Sequence, residues 1–508
     1  MTASTRELLL QQIWNDPLSD SPRLVYADLL EKEDELDRAN LIRLQVGRAN
    51  LPQWDPRVLE IELEERAILA SCEAAWRRAL PQINGVRWGP FARGFVGKVA
   101  FNTVELLQKH RTECLAATPV HSIVVSWPRS RTPPKLEAIE GLRELTLVGT
   151  VMRPEDVRWL ATSPLLAGVR SLNLIDSEIR SGLPHLFKSP HVAQLEALRM
   201  PLHLIGNGGI KKLTAAALPK LTVLDLSVGT DEELGSGGRA PSAKLDSRSA
   251  LELAAWGGLA QIQSLDFSGS KLGREGLSTL LMTPYTKALK TLCIRDIADA
   301  EWEMDDSLAA FQAGPAGTLD ELDVSDNDID ADAAHAMAES RALQELKVLR
   351  IDNVRSKNFE RLAQARWIHS LRVLSCGESA LQPILQRGPK HLHTIRIVAE
   401  GHAVRDLVKR LSVVPLPAVT TLNLGASHIT DEGLRRLGQI ETLPNLTAVT
   451  LRGERAVFTP TAAAEFARSP VGKRLKSLDT GIAELDRLAP APSVDIGGGE
   501  YSGPFRFL

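Results

Sequence analysis

The chain has 508 residues, 44% of them hydrophobic and 24% charged, with a formal net charge of −3. This is the composition of a water-compatible globular protein with ample core, and it lacks the overall basic field of a general nucleic-acid binder. Only 5% of residues are aromatic, too few for a base-stacking platform, and the four cysteines (Cys72, Cys114, Cys293, Cys376) are far apart with no Cys-x-x-Cys pair, so zinc or redox spacing is absent and a reducing, cytoplasmic setting is expected.

The first stretch, MTASTRELLLQQIW, carries Glu7 and only three consecutive leucines, so it reads as neither a secretion signal nor a membrane span. Residues 1–48 read as a helical module. RELLLQQIW is amphipathic with Leu9 and Ile13 inward and Leu10 at the margin; NDPLSDSP is a turn cluster; RLVYADLLEKE and ANLIRLQVGR supply two further helices.

The run Asp16-Pro17, Pro22-Arg23-Leu24-Val25-Tyr26-Ala27-Asp28-Leu29-Leu30-Glu31 and Leu41-Ile42-Arg43-Leu44-Gln45 resembles the bacterial repeat-companion domain. Leu29 stands where that family usually has Trp, and Asn40-Leu41 where it has Glu-Phe or Glu-Leu. The resemblance implies a bacterial origin and a repeat array downstream, and no activity. Arg23, Tyr26 and Asp28 read as helix-end and packing groups rather than a polar site.

Residues 49–141 read as an N-terminal cap. PRVLEIELEERAILASCEAAWRRAL is a long helix with Pro56 in its first turn and an expected inward face of Leu59, Leu63, Ala67, Ala70 and Ala74. GVRWGPFARGFVGKVAF follows as a strand-rich segment, and HSIVVSWP, residues 121–128, as an irregular first strand. A stack of repeats needs such a cap because its first coil otherwise exposes an apolar face.

From residue 142 a hexad, apolar-x-x-apolar-x-apolar, recurs thirteen times, starting at Leu142, Val169, Leu195, Leu221, Ile262, Leu289, Leu319, Leu346, Leu371, Leu392, Val419, Leu446 and Leu475. Most spacings lie between 25 and 30 residues, with one of 41 after Leu221 and one of 21 after Leu371. Alternation in LDVS and LDLS predicts a short strand with one buried face. TDEGLRRLGQIETL and GREGLSTLLMT carry apolar residues three and four apart and predict helices between the strands. One strand and one helix per coil cannot bury their apolar face alone, so the expected fold is an α/β solenoid. The hexad resembles the strand of a leucine-rich repeat, and the period its long ribonuclease-inhibitor type. That implies a horseshoe with parallel strands inside and helices outside, over residues 142–482.

Eight residues after each start stand Thr150, Ser177, Ser270, Asn327, Ser379 and Ser427 in six copies, expected to bond turn backbone as a broken ladder. His203, Ile297 and Glu400 interrupt it. The 41-residue spacing contains an insertion near 230–248, rich in Gly and Ser, with Arg239 and Lys244 as exposed basic residues. The 21-residue spacing, holding Pro383 and Pro389, is too short for a full helix and predicts a turn or a single helical turn. Residues 483–508 leave the pattern and end in a cap, with Phe505, Phe507 and Leu508 covering the last coil, or in a tail.

No nucleophile elbow or phosphate loop appears; GNGGIKK, residues 206–212, lacks the terminal Gly-Lys-Ser/Thr. His391 and His393 share a strand face without a third metal ligand, and DVSDNDIDAD, residues 323–332, lacks the glycine and closing glutamate of a calcium loop. No cofactor or metal is expected. The residues between the patterned leucines line the expected concave face: an acidic middle at Asp225, Asp266 and Asp323, then Arg295, Arg350, Asp352, Arg396 and Arg452. The leading expectation is a non-catalytic module that recognises a protein partner through this face by charge complementarity, with no nucleic acid and no membrane. Two alternatives stand beside it. One is a protease substrate or regulated component of a bacterial signalling or defence assembly, cut in the 230–248 loop or the tail. The other is an enzyme with an unrecognised site in 49–141.

Overall fold

In the computed structural model every hexad supplies one strand, and each strand begins two residues after the hexad start. The structure describes residues 5–127, 136–148, 150–174, 177–179, 182–200, 202–227, 246–297, 307–315, 317–398, 407–453, 457–482 and 484–486. They divide into two compact units, the first holding 5–53 and 57–227, the second 54–56 and 246–486.

In the first unit, helices Thr5–Asn15, Ser21–Lys32 and Leu36–Ala49 enclose a core of Leu9, Ile13, Tyr26, Ala27, Leu30, Ala39, Ile42, Val46 and Phe95, with Leu10 half-buried at its rim. Arg23 is buried here. It donates to the carbonyls of Arg93 (2.8 Å) and Pro17 (2.5 Å) and lies 5.1 Å from the Phe95 ring centre, and burial lowers its pKa to about 10. Tyr26 packs on Phe95, and Asp28 pairs with Arg43 at 2.7 Å, so all three residues serve packing and pairing.

Helix Arg57–Arg78 turns a different face inward than the one expected: Ala67, Ala70 and Ala74 are exposed. Larger groups displace them. Leu63 and Glu65 are buried, Glu65 bonding Arg48 (2.6 Å) and Gln45 (3.2 Å), and Trp76 meets Phe91 at 5.7 Å. A methyl group gains little by burial beside an indole or a paired carboxylate.

Strand Val86–Trp88 runs antiparallel to Lys98–Phe101, and from there on neighbouring strands are parallel: Ser122–Ser126, Glu144–Val148, Ser171–Asn173, Ala197–Arg199 and Val223–Asp225. Ser122–Ser126 is regular rather than irregular, paired over five residues with Glu144–Val148. Parallel stacking thus begins before the first hexad, at KVAF and SIVVS, whose sequences lack the leucine pattern. Helix Val104–Ala117 joins those two strands, and its first turn is capped by Thr103, whose hydroxyl accepts from the Leu106 amide at 3.3 Å.

The second unit stacks nine parallel strands: Ser264–Asp266, Thr291–Cys293, Glu321–Asp323, Val348–Ile351, Val373–Gly377, Thr394–Val398, Thr421–Ala426, Ala448–Thr450 and Ser477–Asp479. Helices of successive coils pack on one another, as Ser247–Ala254 on Gly273–Met282 and Asp431–Leu437 on Pro460–Arg468. The thirteen hexad starts are at most 5% exposed, so each leucine there adds its burial, about 1.5–3 kcal/mol.

The 21-residue coil carries a full helix, Glu378–Gln386, against expectation. It starts directly after strand residue Gly377, so the shortening falls on the connection and not on the helix. Pro383 sits inside it, where a proline removes one amide bond.

Asn327 is the rung that bonds both ways. Its Nδ2 donates to the carbonyls of Ile294 (2.7 Å), Val324 (2.9 Å) and Ser325 (3.2 Å), and its Oδ1 accepts from the Ile297 amide (3.0 Å). Ser427 bonds only its own turn, at the Leu424 carbonyl. Thr150 and Ser177 pair as strand residues, and their side chains lie outside the described set with His203, Glu400, Arg239, Lys244, most of the 230–248 insertion and the tail from 487 on. Beside the ladder, Gly269, Asp296, Asp326 and Asn353 take left-handed backbone three residues after Asp266, Cys293, Asp323 and Arg350. Gly, Asp and Asn are the residues that tolerate it.

Candidate protein-recognition surface

Strand register fixes which side chains share a face. Asp266, Cys293, Asp323, Arg350, Ser375 and Arg396 are aligned in consecutive paired strands, about 4.8 Å apart. The next outward row contains Ser268, Arg295, Ser325 and Asp352.

The acidic middle expected to face a partner is covered on that face. Asp225 and Asp266 are 0% exposed and Asp323 is 5% exposed. Each uses Oδ1 to accept the amide of the serine two residues on: Ser227 (2.9 Å), Ser268 (2.8 Å) and Ser325 (3.0 Å). Two of those serines reach the following coil, where Ser268 Oγ accepts from the Arg295 amide (3.2 Å) and Ser325 Oγ from the Asp352 amide (3.0 Å). The Asp-x-Ser repeat is therefore a clip that ties coil to coil. Its signal stood in the sequence as LDLS, LDFS and LDVS, where Ser227, Ser268 and Ser325 read as concave-face residues rather than as clips. Asp225 also pairs with Arg199 at 2.6 Å, both almost fully buried.

Arg350 is mostly covered and approaches Glu321 at 3.6 Å. Burial pushes the Glu321 carboxyl up to about 7, against the pull of Arg350. Burial also raises Asp352, opposed by Arg396 at 3.2 Å and by a hydrogen bond from Ser375 at 2.7 Å. Cys293, enclosed and flanked by Asp266 and Asp323, has its thiol held well above the usual range, the reverse of an activated nucleophile.

Of the charged residues expected on this face, three arginines reach solvent most. Side chains of Arg295, Arg396 and Arg452 are 34%, 41% and 43% exposed. Each is held by a carboxylate: Arg295 by Asp326 (2.7 Å), Arg396 by Asp352, and Arg452 by Asp479 (2.7 Å) and Asp486 (2.8 Å). Asp479 is itself buried.

The remaining sequence motifs resolve into structure. Residues 206–212 lie within helix Leu202–Thr214. In 323–332, Asp328 pairs with Arg355 (2.7 Å) and Asp330 caps helix Ala331–Glu339 through the Ala333 amide (2.7 Å), so its acids do not converge. His393 is buried, with Nε2 donating to the Trp54 carbonyl at 2.7 Å, while His391 is exposed. Among the described residues no group of three or more His, Cys, Asp and Glu is placed to hold a metal, and no helix is long and apolar enough to cross a membrane.

Residues 318–338 and 417–438 match the family profile described as Leucine Rich repeat. No curated protein matches the sequence. Among solved structures, the crystal structure of the Rad7 and Elc1 complex in yeast contains a chain similar at 13% identity and TM-score 0.41, covering 91% of this chain and 96% of that one. An internalin (inlF) from Listeria monocytogenes is similar at 13% identity and TM-score 0.31, covering 71% and 86%. With thirteen hexads each yielding a strand in parallel register, and two coils matching the repeat profile, the fold is a leucine-rich-repeat solenoid.

Proposed function

We propose that this chain is a non-catalytic recognition protein whose strand face binds a protein partner through Arg295, Arg396 and Arg452. The carrying observation is that three coils of the second unit present these guanidinium groups already fixed by buried or half-buried carboxylates. A side chain held in place loses little rotamer freedom on binding, so its hydrogen bonds to a partner carboxylate cost less to form. The N-terminal module, which resembles the repeat-companion domain, fits a bacterial origin and an accessory role beside the repeats. A regulatory role in a cytoplasmic assembly agrees with this reading. The test is affinity capture from native lysate with the wild type and with R295E/R396E/R452E in parallel. A stoichiometric partner held by the wild type and lost by the variant supports the proposal; identical capture by both overturns it.

A further inference from the structure

A second charged surface lies in the second unit, where each coil enters its strand. Lys290, Asp320, Lys347, Arg372 and His393 are consecutive rungs of one backbone ladder. The Lys290 carbonyl accepts from Asp320 (2.9 Å), that of Asp320 from Lys347 (2.8 Å), that of Lys347 from Arg372 (2.8 Å), and that of Arg372 from His393 (2.9 Å). Rungs of such a ladder stand about 4.8 Å apart. The segments that approach these rungs add Lys287, Arg341, Arg366, Arg387 and Lys390, all exposed. Asp320, Glu339 and Glu345 are acids of these segments, Glu339 pairing with Arg361, and Asp55 lies near the His393 rung.

No ion pair is formed by any of these lysines and arginines among the described residues; Lys290 donates instead to the Thr318 carbonyl at 3.3 Å. The contrast with other surfaces is sharp. Arg361 pairs with Glu339, Arg355 with Asp328, and Arg435 with both Glu432 and Glu465. Cations stacked in successive coils repel one another, and an anion relieves that repulsion. At one end of the row lies a cavity of about 660 Å³, lined by Lys287, Lys290 and Arg341 together with Phe311, Pro315 and Ala342, and by Glu339, whose carboxylate is held by Arg361. Ser340 stands in its wall with a buried hydroxyl that has no hydrogen-bond partner.

We propose that this edge docks an acidic peptide segment of a protein partner, one acidic side chain entering the cavity and its neighbours running along the ladder. The mixed apolar and cationic lining suits a carboxylate on a short aliphatic stem. Trp367, the tryptophan of these approach segments, is buried and offers no ring for base stacking, which disfavours nucleic acid. This edge is separate from the strand face, so either reading can fail alone.

The experiment is fluorescence anisotropy of a labelled peptide of about a dozen residues, alternating Asp or Glu with Gly or Ser, titrated with the full chain from about 50 to 300 mM salt. The expected result is saturable binding that weakens as salt rises, and about tenfold weaker binding to K290Q/R341Q/R372Q. R435Q/R436Q, which removes paired arginines on an outer helix, is expected to bind as the wild type does. Circular dichroism checks that the triple variant is folded; these side chains reach solvent, and if it is not folded, the single R341Q serves with a smaller loss. No binding at 50 mM salt, equal binding by the folded variant, or tighter binding of an oligothymidylate or a phosphatidylserine vesicle of matched charge overturns the proposal.

Discussion

Replacing Asn327 by alanine removes more backbone bonding than any other ladder substitution described above. The side chain satisfies three carbonyls and one amide, and the Ile294 carbonyl and Ile297 amide belong to the preceding coil. Asn327 is 3% exposed, so water does not replace those partners. A buried polar group left unpaired costs about 1–3 kcal/mol. The Ile297 amide has no other acceptor among the described residues, whereas carbonyls tolerate loss of one partner better. N327A is therefore expected to destabilise by about 2–4 kcal/mol. N327D should be worse at neutral pH, because it places a carboxylate against three carbonyl oxygens. S427A removes one bond to its own turn and should cost about 1 kcal/mol. Urea unfolding followed by circular dichroism gives the order, and hydrogen exchange places the loss, because a stack of coils can open locally. The decisive signature is faster exchange at Ile297 in N327A and unchanged exchange there in S427A. Equal destabilisation by N327A and S427A, or an N327D variant more stable than N327A, would refute the two-coil account.

Glu321 predicts an inverted pH response. Its folded pKa of about 7 lies above the unfolded carboxyl value of about 4.3, so the folded state binds the extra proton between them and stability falls as pH rises through that window. The contribution has an upper bound of about 4 kcal/mol; urea midpoints at pH 5 and pH 7.5 should converge in E321Q and stay apart in the wild type. Gly453 to alanine drives a methyl carbon to within 1.6 Å of the Gly425 carbonyl oxygen, so the variant should lose the last coils to proteolysis while Gly388 to alanine, with open space but a left-handed backbone, costs about 1 kcal/mol by melting temperature. Arg23 to methionine strips the buried Pro17 and Arg93 carbonyls of their donor and should cost about 2–4 kcal/mol in urea, with Arg23 to lysine intermediate because one ammonium cannot span both as a planar fork does.

The hexad was legible because a buried strand demands an apolar residue at fixed positions, and every start from Leu142 to Leu475 obeys. KVAF and SIVVS read as strands but not as coils of the stack, because a strand filled by Val and Ile in place of Leu carries no repeat signature. The Glu378–Gln386 helix was missed for a related reason. Spacing counts residues and is blind to which of them are spent on connections. Alanines at helical spacing misled the reading of Arg57–Arg78, since periodicity does not weigh a methyl group against Trp76 or a paired Glu65.

The charged face shows where composition and placement part. On an isolated strand, Asp266 and Asp323 alternate with leucine and ought to meet water. In a stack each strand has neighbours about 4.8 Å away on both sides, and an aspartate is short enough to be roofed by them. Once covered, its charge must be met by donors, and the nearest is the amide two residues on. Arginine is long enough to escape the same roof, so Arg396 and Arg452 keep their guanidinium groups partly in solvent while acids beneath fix them. Equal numbers of acids and bases on such a face therefore do not give a neutral surface. Length helps to sort them: the short aspartates are covered, while Arg396 and Arg452 keep their guanidinium groups partly in solvent.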